Sequence, residues 1–482
     1  MKAIERWGGP TIYSAALLAV ACAASPAGPG AGDAGPDGGD EVACDWEAEL
    51  GALFPQDRVA EIAIDFYDET AFDQMVAAAA ADPDDLPFFP ARLSFDGEVV
   101  EDVGVRLKGN SSLWSSGAGQ TKSLKLDFQE YSAGRHFHCV DKLNLHNNFM
   151  DPSIVRERLT YGLAAELGVD APRTAHAEVI VDGARHGVFT VVQQVDGEFL
   201  KERFGEADGA DDGNLYKCED GCPLAYWGDD PAFYQGYPPD GVPAPPCDDP
   251  EGECGLVLKT NEDDPELNTY ADIIELTRTI DEVLAGDAEL EALDAIFDLD
   301  AYVRFQALNV ALSNLDSYFG SSHNFYLYRR PADGRFQFVM WDTNLAYGTF
   351  ECPEFYADAP DVLEADLFAP CGPPPPPLAG LVIESEELTA AYCAELEALL
   401  AELLTPAAQA ARIDALRAFL DAERAEASAL GQPPMDFAVA DYETAFSHEP
   451  DVAFGPKVIH ALGYFVDERV ASLEAQILEK CP

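Results

Sequence analysis

One stretch of the chain carries cations without any acidic neighbour. Residues 103–126 contain no Asp or Glu, although the average composition would place about four there. The basic side chains of this window are Arg106, Lys108, Lys122 and Lys125. An anionic ligand held between strands explains such a window, because the small residues at 109–119 let backbone amides approach phosphate oxygens closely. The alternative is a basic strand pair whose cations form salt bridges with neighbouring acids.

Two carboxylates stand where elements of secondary structure are predicted to end. Asp316 follows an apolar helical stretch, and Asp342 ends a hydrophobic strand. At such ends both side chains face a cleft, and Asn324 and Asn344 offer amide oxygens nearby. Phosphoryl transfer needs one carboxylate for the acceptor hydroxyl and further oxygens to hold a divalent cation on the phosphates. The alternative is structural, with Asp316 capping a helix and Asp342 forming a turn.

The elements that must position these residues change along the chain. Alternating runs between residues 57 and 217 predict strands, with hairpin turns at Asp96-Gly97 and Asp182-Gly183 and one helix from Ile154 to Leu167. A Cys-, Pro- and Gly-rich insertion follows at 218–256. Later helices are predicted at 270–284, 290–297, 301–312, 387–404, 407–428 and 458–479, and strands at 324–329 and 335–341. The sequence therefore predicts an α+β protein with a β-rich lobe at 44–263, a helical lobe at 264–482 and a cleft where they meet.

Composition excludes several classes of function. The chain has 482 residues, with 88 Asp and Glu against 29 Lys and Arg, and a formal net charge of −59. Because 48% of its residues are hydrophobic, it still buries a core, and the acidity belongs to the surface of a globular protein. Such a surface repels phosphate backbones and anionic lipids. Nucleic acid is therefore excluded as a partner, and a covalent lipid is left as the only membrane anchor.

The first residues predict export. Lys2 and Arg6 precede an uncharged apolar stretch, and Leu18-Ala-Val-Ala-Cys22 resembles the lipobox of bacterial lipoproteins. By that resemblance residues 1–21 are a signal peptide, Cys22 is lipidated, and residues 22–43 are a flexible linker rich in Ala, Gly, Pro and Asp. The alternatives are ordinary cleavage after Ala21, which gives a secreted protein instead of a cell-envelope lipoprotein, and an apolar N-terminus that is not cleaved.

The remaining cysteines fit an oxidising compartment. Of 11 cysteines, ten are left once Cys22 is set aside, an even number that disulfides can use completely. Local spacing favours two pairings, Cys247 with Cys254 and Cys352 with Cys371, and leaves the other connectivities open. The alternative is a zinc site with irregular spacing and four thiolate ligands, Cys218, Cys222, Cys247 and Cys254.

Several motifs occur together in an order typical of one family. They are Val105-Arg-Leu-Lys-Gly-Asn-Ser-Ser, Lys122-Ser-Leu-Lys-Leu-Asp-Phe, Leu143-Asn-Leu-His-Asn-Asn, Asp151-x-Ser-x-x-Arg156, Gly187-Val-Phe, Val195-Asp-Gly-Glu-Phe-Leu200, Gly213-Asn-Leu-Tyr-Lys217, Asn314-x-Asp316 and Trp341-Asp342. Between residues 57 and 350 the chain thus resembles the CotH family, named for a spore-coat protein. The resemblance implies an atypical protein-kinase-like fold with two lobes. It also implies ATP- and Mg²⁺- or Mn²⁺-dependent phosphorylation of serine or threonine on surface or secreted proteins.

The resemblance assigns roles to both groups of residues. Asp316 is expected to be the catalytic aspartate, and Lys125 is expected to contact the nucleotide phosphates. The nucleotide site is expected to comprise Arg106, Lys108, Lys122 and Lys125. The metal site is expected to comprise Asp342, Asn324 and Asn344.

Two positions depart from the family pattern. The family usually has Trp-Asp-x-Asp where this chain ends the motif with Asn344, and it commonly has Glu where this chain has Gln193. Both changes remove negative charge from the expected pocket. The first alternative function is therefore a catalytically silent kinase fold that binds a nucleotide or a partner. The second is an acidic surface protein that binds Ca²⁺ or a glycan.

The lipid anchor has a direct test. Cys22→Ser should move the protein from the membrane fraction to the soluble fraction, because a diacylated cysteine is the one anchor that the sequence offers. Fractionation followed by immunodetection measures this change. Ser25→Ala, three residues away, is the control and should leave the fractionation unchanged. Continued membrane association of the Cys22→Ser variant would contradict lipidation.

Overall fold

The computed structural model describes residues 44–82, 86–109, 113, 121–235, 255–352, 361–429, 439–454 and 457–482. Several sequence predictions lie outside these residues. They concern the signal peptide, Cys22, most of the Gly/Ser-rich loop at 109–119, and the pairing of Cys247 with Cys254.

The first part of the described chain is a β-barrel. Its strands are β1 (Val59–Phe66), β2 (Phe89–Phe95), β3 (Glu98–Leu107), β4 (Leu124–Asp127), β5 (Lys142–His146), β6 (Thr174–Val181) and β7 (Ala184–Gln193). The order is β1-β2-β3-β4-β5-β7-β6, and the parallel pairing of β1 with β6 closes the barrel. Alternate side chains point inward, as in the buried row Val105, Leu126 and Leu143. The predicted turns at Asp96-Gly97 and Asp182-Gly183 join β2 to β3 and β6 to β7.

A second sheet packs within the helical part of the chain. Its strands are β8 (Leu215–Asp220), β9 (Gly255–Leu258), β10 (Phe325–Arg329) and β11 (Phe336–Met340), in the order β11-β10-β8-β9. The sheet thus joins residues from both sides of position 263. Every residue of β11 is buried, which explains its almost continuous apolar run. A separate hairpin consists of β12 (Asp451–Phe454) and β13 (Lys457–His460).

Helices provide most of the remaining described structure. They are α1 (Trp46–Leu53), α2 (Ala71–Ala81), α3 (Arg156–Leu167), α4 (Gly197–Phe204), α5 (Ala271–Ala285), α6 (Leu290–Asp294), α7 (Leu299–Ala311), α8 (Pro377–Glu384), α9 (Glu386–Ala398), α10 (Pro406–Ala429), α11 (Val439–Thr444) and α12 (Leu462–Lys480). α3 ends at Gly168, whose φ of 71° is a left-handed conformation that glycine adopts without strain. Among the helices described, none is both long and apolar enough to cross a membrane.

The α+β class is confirmed, whereas the two-lobed kinase-like arrangement and the lobe boundaries stay predictions. A closed barrel is not typical of the N-terminal lobe of a kinase. The predicted helix at 458–479 is wrong at its start, because residues 457–460 pair as β13 and α12 begins at Leu462. The β-branched pair Val458-Ile459 favours a strand there.

Four disulfides are present in the described chain. They join Cys44 to Cys139, Cys218 to Cys222, Cys352 to Cys371, and Cys393 to Cys481. The predicted Cys352–Cys371 pairing is therefore confirmed. The zinc alternative is wrong, because Cys218 and Cys222 bond to each other and leave no thiolate for a metal. Disulfides at this density are typical of exported proteins.

One buried guanidinium anchors the end of α7 to α12. Arg469 is 1% exposed and donates to the carbonyl oxygens of Val310, Leu363 and Ala365 at N–O distances of 2.8, 3.1 and 2.7 Å. Val310 lies in the last turn of α7, whose carbonyls lack partners within the helix. Burial lowers the pKa of Arg469 to about 10, so the side chain keeps its charge at neutral pH. This anchored helix end leads directly into Asp316.

Removing this anchor should destabilise the protein. Arg469→Met is expected to lower the free energy of unfolding by about 3 kcal/mol or more, because several buried carbonyls lose a charged donor. Urea denaturation followed by circular dichroism measures the change. Arg412→Met is the control, since its partly exposed ion pair with Glu166 should contribute less than about 1 kcal/mol. Equal losses in both variants would contradict the anchoring role of Arg469.

Candidate functional site

Strand register puts basic side chains of β3 and β4 on the outer face of the barrel. Arg106 lies opposite Lys125, and Lys125 lies opposite Asn144 of β5. Directly opposed residues share one face of a sheet. The adjacent row belongs to the barrel core and consists of Leu107, Leu124 and Leu145. The row Arg106, Lys125 and Asn144 therefore faces away from that core.

Lys125 is a half-buried cation without an acidic neighbour at ion-pair distance among the described residues. Burial, with added repulsion from Arg106, Lys108 and Lys142, lowers the pKa of its ammonium group to about 7. Asp196, the N-cap residue of α4, opposes this shift. A lysine whose pKa is lowered in this way becomes fully charged when an anion binds beside it.

A buried hydrogen-bonded chain connects Lys108, His146 and Glu157. Lys108 Nζ lies 2.6 Å from His146 Nε2, and His146 Nδ1 lies 3.0 Å from the nearer carboxylate oxygen of Glu157. An ammonium group can only donate, so Nε2 accepts and Nδ1 carries the proton of the neutral ring. The chain joins the end of β3, the end of β5 and the first turn of α3.

Burial is the main cause of each pKa shift in this chain. It lowers the pKa of His146 to about 3, and it lowers the pKa of Lys108 against the attraction of Asp342 and Glu157. It raises the pKa of Glu157 against the attraction of Lys108. Removal of either charged end would take a favourable charge away from the other where little water can replace it, which is destabilising.

Asp342 follows β11 and lies beside this chain. The ligand atoms of Asp342, Glu157 and His146 all lie within 4.8 Å of one another. The φ of Asp342 is 51°, a left-handed conformation that a non-glycine residue keeps only when its surroundings hold it. Trp341 supplies part of that support: its ring centroid lies 5.9 Å from that of His146 and 5.3 Å from Lys108 Nζ.

The side chains around Asp342 fit a divalent cation. Carboxylates of Asp342 and Glu157 converge there, and Mg²⁺ and Mn²⁺ both accept such oxygen ligands. Both ring nitrogens of His146 already make hydrogen bonds, which makes the two carboxylates the better ligands. Glu157 thus provides a second carboxylate that the sequence patterns did not assign to the site.

Asn344 uses its side chain for a structural contact. Its Nδ2 donates to the carbonyl oxygen of Phe149 at 2.8 Å, which ties the segment after β11 to the loop after β5. The amide oxygen is the part of Asn344 left for a ligand.

Gln193 lies on the other face of the barrel wall. On β7 it is opposite Leu143, in an inward-facing row, and its Oε1 accepts from the backbone N–H of Arg173 at 3.1 Å. The expectation that Gln193 changes the charge of the pocket is therefore wrong. Side chains alternate faces along a strand, and the next residue, Gln194, accepts a hydrogen bond from Asn144 of the outer row at 3.2 Å.

Residues 316–324 connect α7 to β10 and are here called the Asp316 loop. Ser321 Oγ donates to Asp316 Oδ1 at 3.0 Å, and Asn324 Nδ2 donates to the backbone oxygen of Asp316 at 2.9 Å. Burial raises the pKa of Asp316, while His323 opposes the shift and Asp342 adds to it. Asp316 and Asp342 are therefore within electrostatic reach of each other.

Two predicted nucleotide residues make local contacts. The guanidinium of Arg106 lies 5.2 Å from the ring centre of Phe88 and donates to the carbonyl oxygen of Leu107. Lys122 is buried, and its ammonium group donates to the carbonyl oxygen of Leu113 at 3.2 Å. Lys108 therefore lies with Asp342 among the charged residues of the site. Lys122 instead points towards Leu113, which precedes it in the chain.

His146 and Glu157 are functional candidates that the sequence patterns did not single out. His146 lies within a motif of the resemblance, but only the pairing of β5 with its neighbours puts it beside Lys108. Glu157 stands between Arg156 and Arg158 in the first turn of α3, where all three charged side chains are buried. Three consecutive charged residues in a helical turn that is buried on all sides are the signal that could have identified Glu157.

Comparison with known proteins identifies the family. A family model described as CotH kinase protein matches residues 105–429. The chain is also similar to inner spore coat protein H of Bacillus subtilis (strain 168), with 27% identity over 232 residues. That match covers 47% of this chain and 55% of the relative, so the chain spans about half the length of the curated relative. The family match includes Lys125, the Asp316 loop and Asp342, and the chain belongs to the CotH kinase family.

Proposed function

We propose that the protein is an exported ATP-dependent protein kinase that phosphorylates serine or threonine on surface or secreted proteins. Membership of the CotH kinase family suggests a kinase-like function. Four disulfides suit a compartment outside the cytoplasm. The relative is named as a spore coat protein, which supports surface proteins as the class of acceptor.

One observation carries the proposal: half-buried lysines and carboxylates lie within electrostatic reach of one another beside the outer barrel face. Lys125 lies on the outer barrel face and Lys108 lies beside it. The negative charge of Asp342 favours the charged form of Lys108 and helps to raise the pKa of Asp316. Phosphoryl transfer is catalysed mainly by positioning and by neutralisation of charge. A purely structural role would give Lys125 an acidic partner, and it has none at ion-pair distance in the described chain.

In this mechanism each side chain has a separate task. Lys125 and Lys108 neutralise the nucleotide phosphates. Asp342 and Glu157 would hold Mg²⁺ or Mn²⁺, which neutralises further charge on the transferred group. Asp316 accepts the proton of the acceptor hydroxyl while that oxygen bonds to the γ-phosphorus and the bond to the bridging β,γ-oxygen breaks. The raised pKa makes Asp316 a better proton acceptor than an exposed aspartate.

A silent nucleotide-binding member of the same family is the second candidate. It is favoured by Asn344, which offers a neutral oxygen where the family usually has a carboxylate and whose amide nitrogen already contacts Phe149. This candidate predicts nucleotide binding without transfer.

Substitutions should separate binding from chemistry. Lys125→Ala and Asp342→Ala are each expected to weaken metal–nucleotide binding and abolish transfer, because phosphate charge is no longer neutralised. Asp316→Asn should keep most nucleotide binding and lose transfer by about 10²-fold or more, because it acts on the acceptor hydroxyl. Calorimetry with ATP measures binding. Radiolabelled ATP with casein as acceptor, in Mg²⁺ and in Mn²⁺, measures transfer.

Lys201→Ala is the control for these substitutions, since Lys201 pairs with Glu198 on the partly exposed side of α4. It should change neither binding nor transfer. Binding without transfer in the unaltered protein under either metal would replace the kinase with the silent binder. No nucleotide binding at all would contradict the phosphate site on the outer barrel face.

The low pKa of Lys125 predicts a pH dependence of nucleotide binding. In the free protein the ammonium loses its proton above pH about 7. A bound phosphate favours the charged form, so binding above this pH takes up a proton, and affinity should fall by up to about tenfold per pH unit as pH rises. Below pH about 7 the side chain is already charged and this dependence should vanish. Calorimetry across this pH, from mildly acidic to mildly alkaline buffer, measures it.

Lys125→Arg is the matched variant for this test. Arginine keeps its charge over the whole range, so the additional slope should disappear while the titration of the nucleotide itself remains. Lys201→Arg makes the same exchange of side chains on the partly exposed side of α4 and should keep the slope of the unaltered protein. An unchanged slope in Lys125→Arg would contradict the role of Lys125.

A further inference from the structure

We propose that two disulfides, Cys218–Cys222 and Cys352–Cys371, clamp the Asp316 loop, so that this loop becomes ordered only after the protein is oxidised. The consequence for catalysis rests on the proposed kinase function: the enzyme would be inactive while reduced and become active in the compartment to which it is exported. The clamp itself follows from contacts of the loop backbone.

The first disulfide holds the loop at Ser322. The backbone N–H of Cys222 donates to the carbonyl oxygen of Ser322 at 2.7 Å, and Cys218 Sγ lies 3.3 Å from the same oxygen. Both cysteines are buried. Because only four positions separate Cys218 from Cys222, the bond fixes the chain direction at the end of β8, where the Ser322 contact is made.

The second disulfide packs against the same loop at Gly320. A β-carbon at Gly320 would lie 3.2 Å from Cys371 Sγ and 2.0 Å from the carbonyl oxygen of Leu315. The backbone at this point therefore approaches the Leu315 carbonyl more closely than any side chain allows, and it packs tightly against the Cys371 sulfur. Glycine is needed at position 320 for this approach.

Tyr318 connects the segments that follow the two disulfides. Its hydroxyl donates to the carbonyl oxygen of Pro223 at 2.9 Å and accepts from the backbone N–H of Leu378 at 3.2 Å. Pro223 comes directly after Cys222, and Leu378 is the second residue of α8, which follows Cys371 in the chain. One fully buried side chain of the loop thus depends on both cross-linked segments.

The backbone of the Asp316 loop needs such support. Ser322 and Asn324 have φ values of 53° and 57°, which non-glycine residues keep only when surrounding contacts hold them. These two residues make the Ser322 carbonyl contact and the Asn324 hydrogen bond to Asp316. Loss of the clamp should therefore disturb the position of Asp316 without removing the cations of the barrel.

The oxidation step is a thiol–disulfide exchange. For each pair, two thiols lose two electrons and two protons as the S–S bond forms, and an external disulfide of the exported compartment, such as that of a dithiol oxidoreductase, leaves as two thiols. A dithiol reagent reverses the reaction. The loop is therefore expected to lack its clamp in a reducing cytoplasm.

Hydrogen exchange of the full chain tests the clamp without relying on catalysis. The variants are Cys218→Ser/Cys222→Ser, Cys352→Ala/Cys371→Ala and, as the control, Cys393→Ala/Cys481→Ala, whose disulfide joins α9 to the end of α12. The reporter amides are those of Ser321 and His323, which donate to the carbonyls of Leu315 and Ser317. In both clamp variants these two amides should exchange about tenfold faster or more. In the control variant their exchange rates, relative to those of barrel amides, should be unchanged. ATP binding should stay close to that of the unaltered protein, and transfer should fall by about tenfold or more.

Tyr318→Phe keeps the test decisive if a cysteine variant does not fold, because it removes the hydroxyl bridge with both disulfides intact and should speed the same two amides. If the two reporter amides exchange no faster in the clamp variants, or in Tyr318→Phe, than in the control variant, the proposal is overturned. Faster loop exchange in a protein that transfers no phosphate even when oxidised supports the clamp and contradicts only the kinase function.

Discussion

The hydrogen-bonded chain from Lys108 through His146 to Glu157 is the interaction on which the site depends. Glu157 is buried and Lys108 is half-buried, and a charge with so little access to water is destabilising unless a partner of opposite charge is in place. The barrel and α3 must therefore meet with one register and one orientation. Trp341 packs on the same histidine and lysine, so the segment that carries Asp342 is fixed by the same requirement.

The overall charge explains why this pocket is set apart from the rest of the surface. A chain of net charge −59 repels an anionic nucleotide at long range, so any phosphate site needs local cations held where the acidic surface does not neutralise them. Partial burial of Lys125 meets that need, and Asp196, the acid that favours its charge, also caps α4. In the proposed mechanism, Asp342 and Glu157 with a divalent cation would complete the neutralisation of phosphate charge.

Sequence patterns predicted the strands and hairpins well, because alternation and turn residues act over a few positions, as at Asp182-Gly183. They also predicted Asp316 and Asp342 as residues at the ends of elements. They did not predict the barrel, whose closure needs the distant pairing of β1 with β6. For the same reason Glu157 was missed, and Gln193 was expected in the pocket although a shift of one residue along β7 puts it on the inner face.

The geometry gives the neutral residue at position 344 a physical meaning. The Asn344 amide donates to the carbonyl oxygen of Phe149, which a carboxylate cannot do, so this position ties the Asp342 segment to the loop after β5. In the proposed site a second carboxylate for a divalent cation comes from Glu157, whose ligand oxygen lies within 4.8 Å of that of Asp342. In the proposed site the two carboxylates beside Lys108 therefore come from different elements, Asp342 from the segment after β11 and Glu157 from the first turn of α3.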